Sequence, residues 1–492
     1  MAKILLTPSY FYRFDPKQWK TAQPYPPLGT IYAAAVMREA GYEVALFDSH
    51  LSSGPENILP VLESEKPDYL VIYDDGFNYL TKMCLTVMRE AAFRLAEYGK
   101  THGCTVIISS SDSTDHYEKY LSKGADYVIM GEGEITLQEL IDGLEKKAVP
   151  VSSIAGIVFS DGKEVIANPK RPVLRDLDSL PQAAWDLIDI APYRKIWEKA
   201  HGHFALNIAT TRGCPFKCNW CAKPIYGNRY HSRSPEKVTD EIEMLIKRFG
   251  VNYFWMCDDI FGLKPGWVQA FRDEVKRRAL NFNYKIQSRV DLLLQEDTID
   301  ALAESGLDTV WVGAESGSQK ILDAMDKGTQ VTQIFEARKL LGSKGIRVGF
   351  FLQFGYLGEN KEDIRQTIDM VLQLMPDEIG ISVSYPLPGT KFYEKVKSHL
   401  GKKANWEDSD DLAMMFHSTY SPVYYKRLHR YVHKVYRRKQ GIESLKKVFW
   451  EPGKAKSQQI RAALSTLYYI PTSVLDKIQL NKLERMGEAS KN

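Results

Sequence analysis

Half of the six cysteines in this 492-residue chain lie within eight positions, at Cys214, Cys218 and Cys221. They follow an apolar run at 204–209 that predicts a β-strand, so all three thiols belong to one loop. Thiolates are the ligands of iron–sulfur clusters, and three of them can hold three corners of a cubane and leave the fourth iron open. An open iron is available for chemistry, whereas the four ligands of a structural zinc site close it.

Two structural alternatives exist for these cysteines: a zinc knuckle with a distant fourth ligand, or three buried free thiols. Structural zinc sites usually pair cysteines as C-x2-C with a second pair further on, and this chain has no second pair. Disulfides are typical of secreted proteins, and we find no signal peptide after the opening Met-Ala-Lys. The spacing therefore favours an iron–sulfur cluster.

The C-x3-C-x2-C spacing, with Trp220 as the aromatic residue before Cys221, resembles the signature of the radical S-adenosylmethionine (SAM) family. The resemblance implies that the three cysteines are the catalytic and metal-binding residues and that they hold a [4Fe–4S] cluster. In that family the open iron chelates the amino and carboxylate groups of SAM. An electron from the reduced cluster cleaves the sulfonium bond and yields a 5′-deoxyadenosyl radical.

Six apolar runs of strand length alternate with helical patterns over residues 201–392. The runs are 204–209, 252–257, 283–288, 309–313, 347–354 and 378–384. A helix start follows the cysteines, with Ser234 as N-cap and Pro235 at the first helical position. Six β/α units are the number expected of a partial barrel of the radical SAM type, and barrel active sites lie at the carboxyl ends of the strands.

Charged residues end two of these strands. An acidic group at Asp258 or Asp259 can accept hydrogen bonds from the SAM ammonium, and one of the pair is expected to cap the next loop instead. Arg289 can bind the SAM carboxylate through two hydrogen bonds, because a guanidinium matches it in geometry. A structural salt bridge is the alternative role for Arg289.

The fourth strand ends in the motif GAESGS at 313–318, followed by M-x-K-G. Glu315 can accept hydrogen bonds from ribose hydroxyls, and small neighbours such as Ser316 let a ligand approach the backbone. Both motifs resemble the SAM-binding element of the family. Tyr356, after the fifth strand, can flank adenine, although a simple turn is the alternative there.

Residues 1–148 alternate short apolar strands with helices, a pattern that predicts a parallel, doubly wound sheet. Such sheets bind ligands at the carboxyl ends of their strands. The loops there are rich in Ser, Asp, Gly and Tyr. This composition suits a polar ligand edge, and it equally suits a solvated rim.

Three motifs in this region, YPPLGT at 25–30, GYEV at 41–44 and GEGE at 131–134, resemble the cobalamin-binding half of cobalamin-dependent radical SAM enzymes. The D-x-H-x-x-G signature that lends a histidine to cobalt is absent. The histidines that lie outside any such context are His50, His102 and His116. Many relatives lack the signature and bind cobalamin without a protein histidine, so the resemblance implies the same here. A degenerate domain that has lost its cofactor is the alternative.

The remaining segments carry no assigned chemistry. Prolines punctuate residues 149–200, which we interpret as a connector. Residues 393–492 are predicted to be helical, and between Ser421 and Trp450 nine Lys or Arg residues accompany one Glu. Apolar residues recur there at helical spacing. We expect this basic amphipathic helix to pack with one solvated side, and contact with a membrane surface is the alternative.

The composition is ordinary for a soluble globular protein, with 44% apolar residues, 26% charged residues and a net charge of +3. No apolar run reaches the ~20 residues that a membrane span needs. We therefore expect cytoplasmic residence and no nucleic-acid partner. The predicted fold class is α/β, with a Rossmann-like cobalamin-binding domain (1–148), the connector (149–200), a partial (β/α)6 barrel (201–392) and a helical region (393–492).

The resemblance identifies the chain as a member of the cobalamin-dependent radical SAM enzymes. It implies a [4Fe–4S] cluster, SAM and cobalamin as cofactors, an electron donor such as flavodoxin or ferredoxin, and a small-molecule substrate, lipid-like or tetrapyrrole. The expected activity is methyl transfer to an unactivated carbon. The first alternative is an anaerobic oxidative cyclase of the Mg-protoporphyrin IX monomethyl ester type. A non-catalytic cobalamin or redox sensor is the second, and the intact SAM-binding motifs argue against it.

Overall fold

The computed structural model describes residues 2–74, 76–77, 85–146, 149–223, 225–401, 405–406, 412, 414–450 and 457–489. In these residues two sheets rich in parallel strands follow one another along the chain, and a helical hairpin comes last. The α/β class and the order of its parts are therefore as predicted.

The first sheet has seven strands in the order β2-β1-β3-β4-β5-β6-β7. They are β1 (Lys3–Thr7), β2 (Glu43–Leu46), β3 (Tyr69–Tyr73), β4 (Thr105–Ser109), β5 (Tyr127–Ile129), β6 (Ile157–Ser160) and β7 (Val165–Ala167). The first five strands pair in parallel, as the alternating pattern predicts. The hairpin β6–β7 adds to them antiparallel. This part of the predicted connector therefore completes the first sheet.

Helices cover both faces of this sheet, which is why all five residues of β3 are buried. The helices are Pro16–Thr21, Leu28–Glu39, Leu59–Glu65, Thr86–Thr101, Ser111–Asp115, Tyr117–Leu121 and Glu134–Lys146. The helix that follows β3 begins at Thr86, and positions 78–84 lie outside the described residues. Gly41, with φ at +91°, provides the turn between helix Leu28–Glu39 and β2.

The second sheet contains the six strands predicted for the barrel, all parallel, in the order β15-β14-β13-β12-β11-β8. After β8 (Ala205–Ile208), a two-stranded ribbon of β9 (Thr211–Arg212) and β10 (His231–Ser232) flanks the cysteines. The other strands are β11 (Tyr253–Met256), β12 (Asn283–Ser288), β13 (Leu307–Glu315), β14 (Arg347–Phe354) and β15 (Glu378–Val383). Since β8 and β15 are the two ends of this order, the barrel is partial.

The helices of this region alternate with the strands. They are Ile190–His201, Pro235–Phe249, Trp267–Arg277, Val290–Leu293, Thr298–Glu304, Gln319–Ala324, Val331–Ser343, Lys361–Leu374 and Lys391–Val396. The predicted start at Pro235 is confirmed, because the Ser234 hydroxyl accepts a hydrogen bond from the Lys237 N–H at 3.2 Å.

Two long helices, Pro422–Trp450 and Ser457–Ala489, form the C-terminal hairpin. The apolar face of the first one is internal: Leu428, Val432 and Tyr436 are buried, and the Tyr436 hydroxyl donates to the Pro376 carbonyl at 2.6 Å. The packing expected of this helix, with one side against the protein, is therefore confirmed, and contact of the helix with a membrane surface stays a prediction. Within the described ranges, no helix has the length and apolar character that crossing a membrane requires.

Candidate functional site: the cysteine loop and its neighbours

The cysteine loop connects β9 to β10 at the carboxyl end of the barrel. Cys214, Cys218 and Cys221 are free thiols and are partly exposed. Gly213 begins the loop with φ at +82°, and a Cβ at this position would lie 2.4 Å from the Arg229 carbonyl oxygen. Only glycine meets both conditions, so the loop begins at a position that its sequence fixes.

Asp258 holds the start of this loop. Its carboxylate accepts hydrogen bonds from the backbone N–H of Thr210 at 2.7 Å, from that of Thr211 at 2.8 Å, and from the Thr210 hydroxyl. Burial raises the pKa of Asp258 to about 6, and these hydrogen bonds oppose the shift. Asp258 is therefore the member of the acidic pair that caps a loop.

The cysteine thiols are partly shielded from solvent. Burial raises the pKa of Cys214 and raises that of Cys221 to about 12, and Lys223 opposes both shifts. The exposed Asp259 lies near enough for its charge to add to both increases. Thiolates in this setting need a positive partner, which a metal centre provides.

Three thiols on one loop are a ligand set of the kind that iron–sulfur clusters use. Among the described residues, no three His, Cys, Asp or Glu side chains are grouped so that they could hold one metal ion. In a cubane, by contrast, each thiolate binds a separate iron. The three cysteines therefore fit three irons of a [4Fe–4S] cluster.

Asn219, between the second and third cysteines, ties the loop to the segment after β13. Its N–H donates to the Met325 carbonyl at 3.0 Å, and its side-chain amide donates to the Ala324 carbonyl at 2.8 Å. The Tyr356 hydroxyl donates to Asn219 Oδ1 at 2.7 Å, and the buried Tyr356 ring stacks on Phe392. Tyr356, which the sequence places beside adenine, thus lies behind the loop and positions Asn219.

Arg289 lies directly against the cysteine loop. Its guanidinium carbon is 3.7 Å from the centroid of the Phe216 ring, and its Nη1 is 4.0 Å from Cys218 Sγ. The same guanidinium donates to both oxygens of Asp291 at 2.9 and 3.0 Å and to the Lys327 carbonyl at 2.8 Å. The structural salt bridge, which was the alternative role for Arg289, is therefore present, and it holds the guanidinium beside Cys218.

Glu315 forms a buried ion pair with Lys327, with 2.9 Å between Oε1 and Nζ. The backbone of Glu315 has φ at +55°, and the register between β13 and β14 shifts there. Such a bulge turns a side chain away from the regular alternation. A Cβ at Gly313 would lie 2.4 Å from Lys327 Nζ, so the glycine leaves room for the pair.

Ser316 continues the same turn. Its hydroxyl lies 3.0 Å from Thr367 Oγ1 and accepts a hydrogen bond from the Ser318 N–H at 3.1 Å. A Cβ at Gly317 would lie 2.4 Å from the Gln366 carbonyl oxygen. The small residues of this motif thus let the turn pack against the helix Lys361–Leu374, and Ser316 holds it there.

Arg212 joins the cysteine loop to the first domain. Its guanidinium pairs with Glu132 and with Glu134, the latter at 2.7 Å, and all three side chains are nearly inaccessible to solvent. The rings of Phe77 and Tyr226 lie within 5.7 Å of the guanidinium carbon. The GEGE motif at the end of β5 therefore meets the chain two residues before the first cysteine.

A cavity lies at the carboxyl ends of β3, β4 and β5, the edge where the sequence predicts cobalamin. Its lining includes Gly29, Gly76, Ser109, Ser110, Gly131 and Tyr226. Small residues of this kind let a ring system approach the backbone, and the cavity in this structure has a volume of about 20 Å³. No histidine is among its described lining residues. His50 is buried elsewhere, with Nδ1 2.8 Å from the Tyr25 carbonyl oxygen.

A larger cleft, of about 730 Å³, opens between the two domains beside the cysteine loop. Cys221 lines it, together with the connector and the turn after β15. Its basic lining residues are Lys170, Arg171, Arg175, Lys223, Arg229 and His231. Asp115 is the single carboxylate among its described lining residues. The cleft is therefore strongly cationic.

Sequence reasoning assigned no role to five polar residues of this site: Asn219, Lys327, Glu132, Arg212 and Glu134, of which the two glutamates were noted only as part of the GEGE motif. Each of them lies in or beside a motif whose role was assigned to a neighbouring residue. Their polar character within these motifs is the signal that could have identified them.

Two family models match the chain: the Radical SAM superfamily over residues 208–371 and the B12 binding domain over residues 20–141. An uncharacterized methyltransferase of Pyrococcus horikoshii is 27% identical over 389 residues, which are 77% of this chain and 81% of that protein. The anaerobic magnesium-protoporphyrin IX monomethyl ester cyclase of Cereibacter sphaeroides is 30% identical over 281 residues, 56% of this chain and 45% of the cyclase.

Among solved structures, the radical SAM methyltransferase TsrM from Kitasatospora setae, with cobalamin and a [4Fe–4S] cluster bound, superposes with a TM-score of 0.67. The alignment covers 81% of this chain and 78% of TsrM at 18% identity. That likeness concerns the fold.

A cobalamin-binding sheet followed by a partial radical SAM barrel defines the class of this protein. The chain belongs to the cobalamin-dependent radical SAM enzymes, with methyltransferases among its relatives. The predictions of an enzyme of this class and of its cofactors, a [4Fe–4S] cluster, SAM and cobalamin, are confirmed. The roles of individual residues toward these cofactors stay predictions.

Proposed function

We propose that this enzyme is a C-methyltransferase that transfers a methyl group to an unactivated carbon of a small molecule. The observation that carries the proposal is that two residues line both of the cavities described above. Ile225 and Tyr226 line both the cavity of the first domain and the cleft beside Cys221. A substrate in the cleft would therefore lie between the two cofactor positions, as methylation of a carbon radical requires.

When bound, the reduced cluster supplies the electron that converts SAM to the 5′-deoxyadenosyl radical, and methylcobalamin supplies the methyl group. In the proposal, Cys214, Cys218 and Cys221 hold the cluster. Asp259 accepts hydrogen bonds from the SAM ammonium, because Asp258 is engaged with the loop.

The remaining SAM contacts fall to two charged residues. Arg289 attracts the SAM carboxylate from the rim of the loop. Glu315 accepts hydrogen bonds from the ribose hydroxyls, and its ion pair with Lys327 holds its carboxylate in place. Ser316 holds the turn after Glu315 against Thr367, and Tyr356 holds the cysteine loop through Asn219.

The cleft supports a substrate with an acidic group. Lys170, Arg175 and Arg229 form no ion pair with any other described residue. Burial and the charges of Arg175 and Arg229 lower the pKa of His231. Cations concentrated in a concave site attract anions. A tetrapyrrole carboxylate and an acidic lipid both meet this requirement, and the cleft volume lies in the range of small-molecule sites.

A small redox protein, flavodoxin or ferredoxin, is the proposed electron donor. The other three cysteines, Cys84, Cys104 and Cys257, are far apart in sequence and form no second cluster motif. The electron must therefore reach the single cluster from outside the chain.

The ratio of products tests the proposal. Anaerobically reconstituted enzyme is supplied with SAM, a reductant and candidate acidic substrates. Methylation consumes two SAM per turnover and yields equal amounts of 5′-deoxyadenosine and S-adenosylhomocysteine. Converted substrate with 5′-deoxyadenosine alone would refute methylation and favour the cyclase type. The Cys218→Ala variant is the control, and it should lose the electron paramagnetic resonance signal of the cluster that changes on adding SAM.

A further inference from the structure

The last helix, Ser457–Ala489, presents its apolar side chains outward. Thirteen of the eighteen large apolar side chains that are exposed in the described part of the chain lie between Val423 and Ile478. On the last helix, five of them, 49–77% exposed, are Leu464, Leu467, Val474, Leu475 and Ile478. At 3.6 residues per turn, these five fall within an arc of about 100°. They form one continuous stripe, which we call the outer apolar face.

The inner face of the same helix is mainly polar, and Ala463 and Leu480 are the apolar residues buried on it. Thr466, Ser473, Asp476 and Glu484 are buried against the rest of the protein. Asp476 accepts a hydrogen bond from Arg427 of the first hairpin helix at 2.7 Å. A surface helix of a globular protein normally has the opposite arrangement, with its apolar stripe facing the core. In the single chain, the outer apolar face is therefore exposed to solvent instead of packed against the core.

The end of the first hairpin helix adds to this surface. Phe449 and Trp450 are more than three quarters exposed, beside the exposed Lys446 and Lys447. Tryptophan concentrates at the interface between membrane and water, where lysine also extends its charge toward the headgroups. The composition of this end thus matches an interfacial location.

Charge separates the hairpin from the rest of the chain. Residues 421–492 contain sixteen Lys or Arg and five Asp or Glu, a balance of +11 in a chain whose net charge is +3, so residues 1–420 carry −8. Arg461 and Lys477, both exposed, flank the outer apolar face on opposite sides. Lys482 and Arg485 extend the same side of the helix beyond it.

We propose that the C-terminal hairpin docks the enzyme on the surface of an anionic lipid bilayer. The last helix lies in the plane of the interface, with the outer apolar face at the acyl boundary and the flanking cations at the lipid phosphates. A second copy of the chain is a poorer occupant, because it would bring the same excess of positive charge to the contact. Docking of this kind is separate from the chemistry of the barrel.

Vesicle binding tests the proposal on the full-length holoenzyme under anaerobic conditions. Vesicles of phosphatidylglycerol mixed with phosphatidylcholine should sediment with the protein, and the emission of Trp450 should shift to the blue. Pure phosphatidylcholine should bind far less, and added salt should weaken binding to the mixed vesicles. The triple variant Leu464→Gln, Leu467→Gln, Leu475→Gln should lose about tenfold or more in the partition coefficient.

A matched control changes exposed apolar residues elsewhere: Val149→Gln, Val165→Gln and Leu340→Gln, at positions 42–44% exposed. It should bind vesicles like the wild type. Unaltered binding by the Leu464, Leu467 and Leu475 triple variant overturns the proposal, as does a wild type that ignores anionic vesicles. Light scattering tests whether a second copy of the chain occupies the outer apolar face instead. If the wild type is a dimer and this triple variant is a monomer, lipid docking is overturned. None of these binding measurements depends on enzyme turnover. The vesicle-binding result can therefore be interpreted even if the methylation assay fails.

Discussion

Replacing Arg212 with Met should uncouple the cysteine loop from the cobalamin-binding domain. The guanidinium neutralises Glu132 and Glu134 in a place where each of the three side chains is almost fully buried. Methionine keeps much of the volume between the rings of Phe77 and Tyr226 but leaves two carboxylates without a cation. Glu132 keeps the hydrogen bond that it accepts from the Leu174 N–H. The variant therefore isolates the charge from the packing.

Removing one partner of a buried ion pair costs about 3–5 kcal/mol. The entropy of unfolding is about 2.1 cal/mol/K per residue, or roughly 1 kcal/mol/K for a chain of this length, at the melting temperature. We therefore expect Arg212→Met to lower the melting temperature by about 3–5 °C if the chain unfolds in one transition, and by more if the domains unfold separately.

Differential scanning calorimetry of the apoprotein measures this change without the contribution of bound cofactors. The matched control is the triple variant Arg212→Met, Glu132→Gln, Glu134→Gln, which removes all three charges. It should recover at least half of the loss, because neutral groups are less costly to bury than unpaired carboxylates. A single variant within about 1 °C of the wild type, or a triple variant no better than the single one, would refute the reasoning.

Two further predictions concern the acidic residues near the site. The Asp259→Asn variant should keep the cluster and bind SAM about 10–100-fold more weakly, which is the effect of losing a charge-assisted hydrogen bond. The Asp258→Asn variant should instead lower the iron content of the reconstituted protein. Iron analysis and SAM titration measure the two effects, and similar behaviour of both variants would contradict the division of roles. Burial raises the pKa of Glu359 from 4.5 to about 8. Between these two pH values the folded state retains a proton that the unfolded chain releases, so wild-type stability falls as the pH rises. Glu359→Gln removes that loss and should gain about 3 kcal/mol or more relative to the wild type between pH 5 and pH 8. Urea unfolding across this pH range measures the gain, and a constant difference between the two proteins would speak against a buried, protonated Glu359.

The sequence by itself determined the features that depend on local spacing. Three thiols in eight residues define a ligand set, because one short loop brings them together in any fold. The strands of both sheets follow equally from local pattern, since short apolar runs between helices can bury both faces only in a parallel sheet. The family motifs lie within such segments, which is why the class of enzyme was predictable.

Only the tertiary structure decided which of two adjacent acidic residues caps the loop. Asp258 and Asp259 are equivalent in sequence, and the difference between them comes from Thr210 and Thr211, nearly fifty positions earlier. The pairing of Arg212 with Glu132 likewise spans eighty positions. The direction in which the last helix faces is of the same kind. An amphipathic pattern shows that a helix has two faces, but the side that meets the protein is set by the partners at the contact, here ion pairs such as that of Asp476 with Arg427.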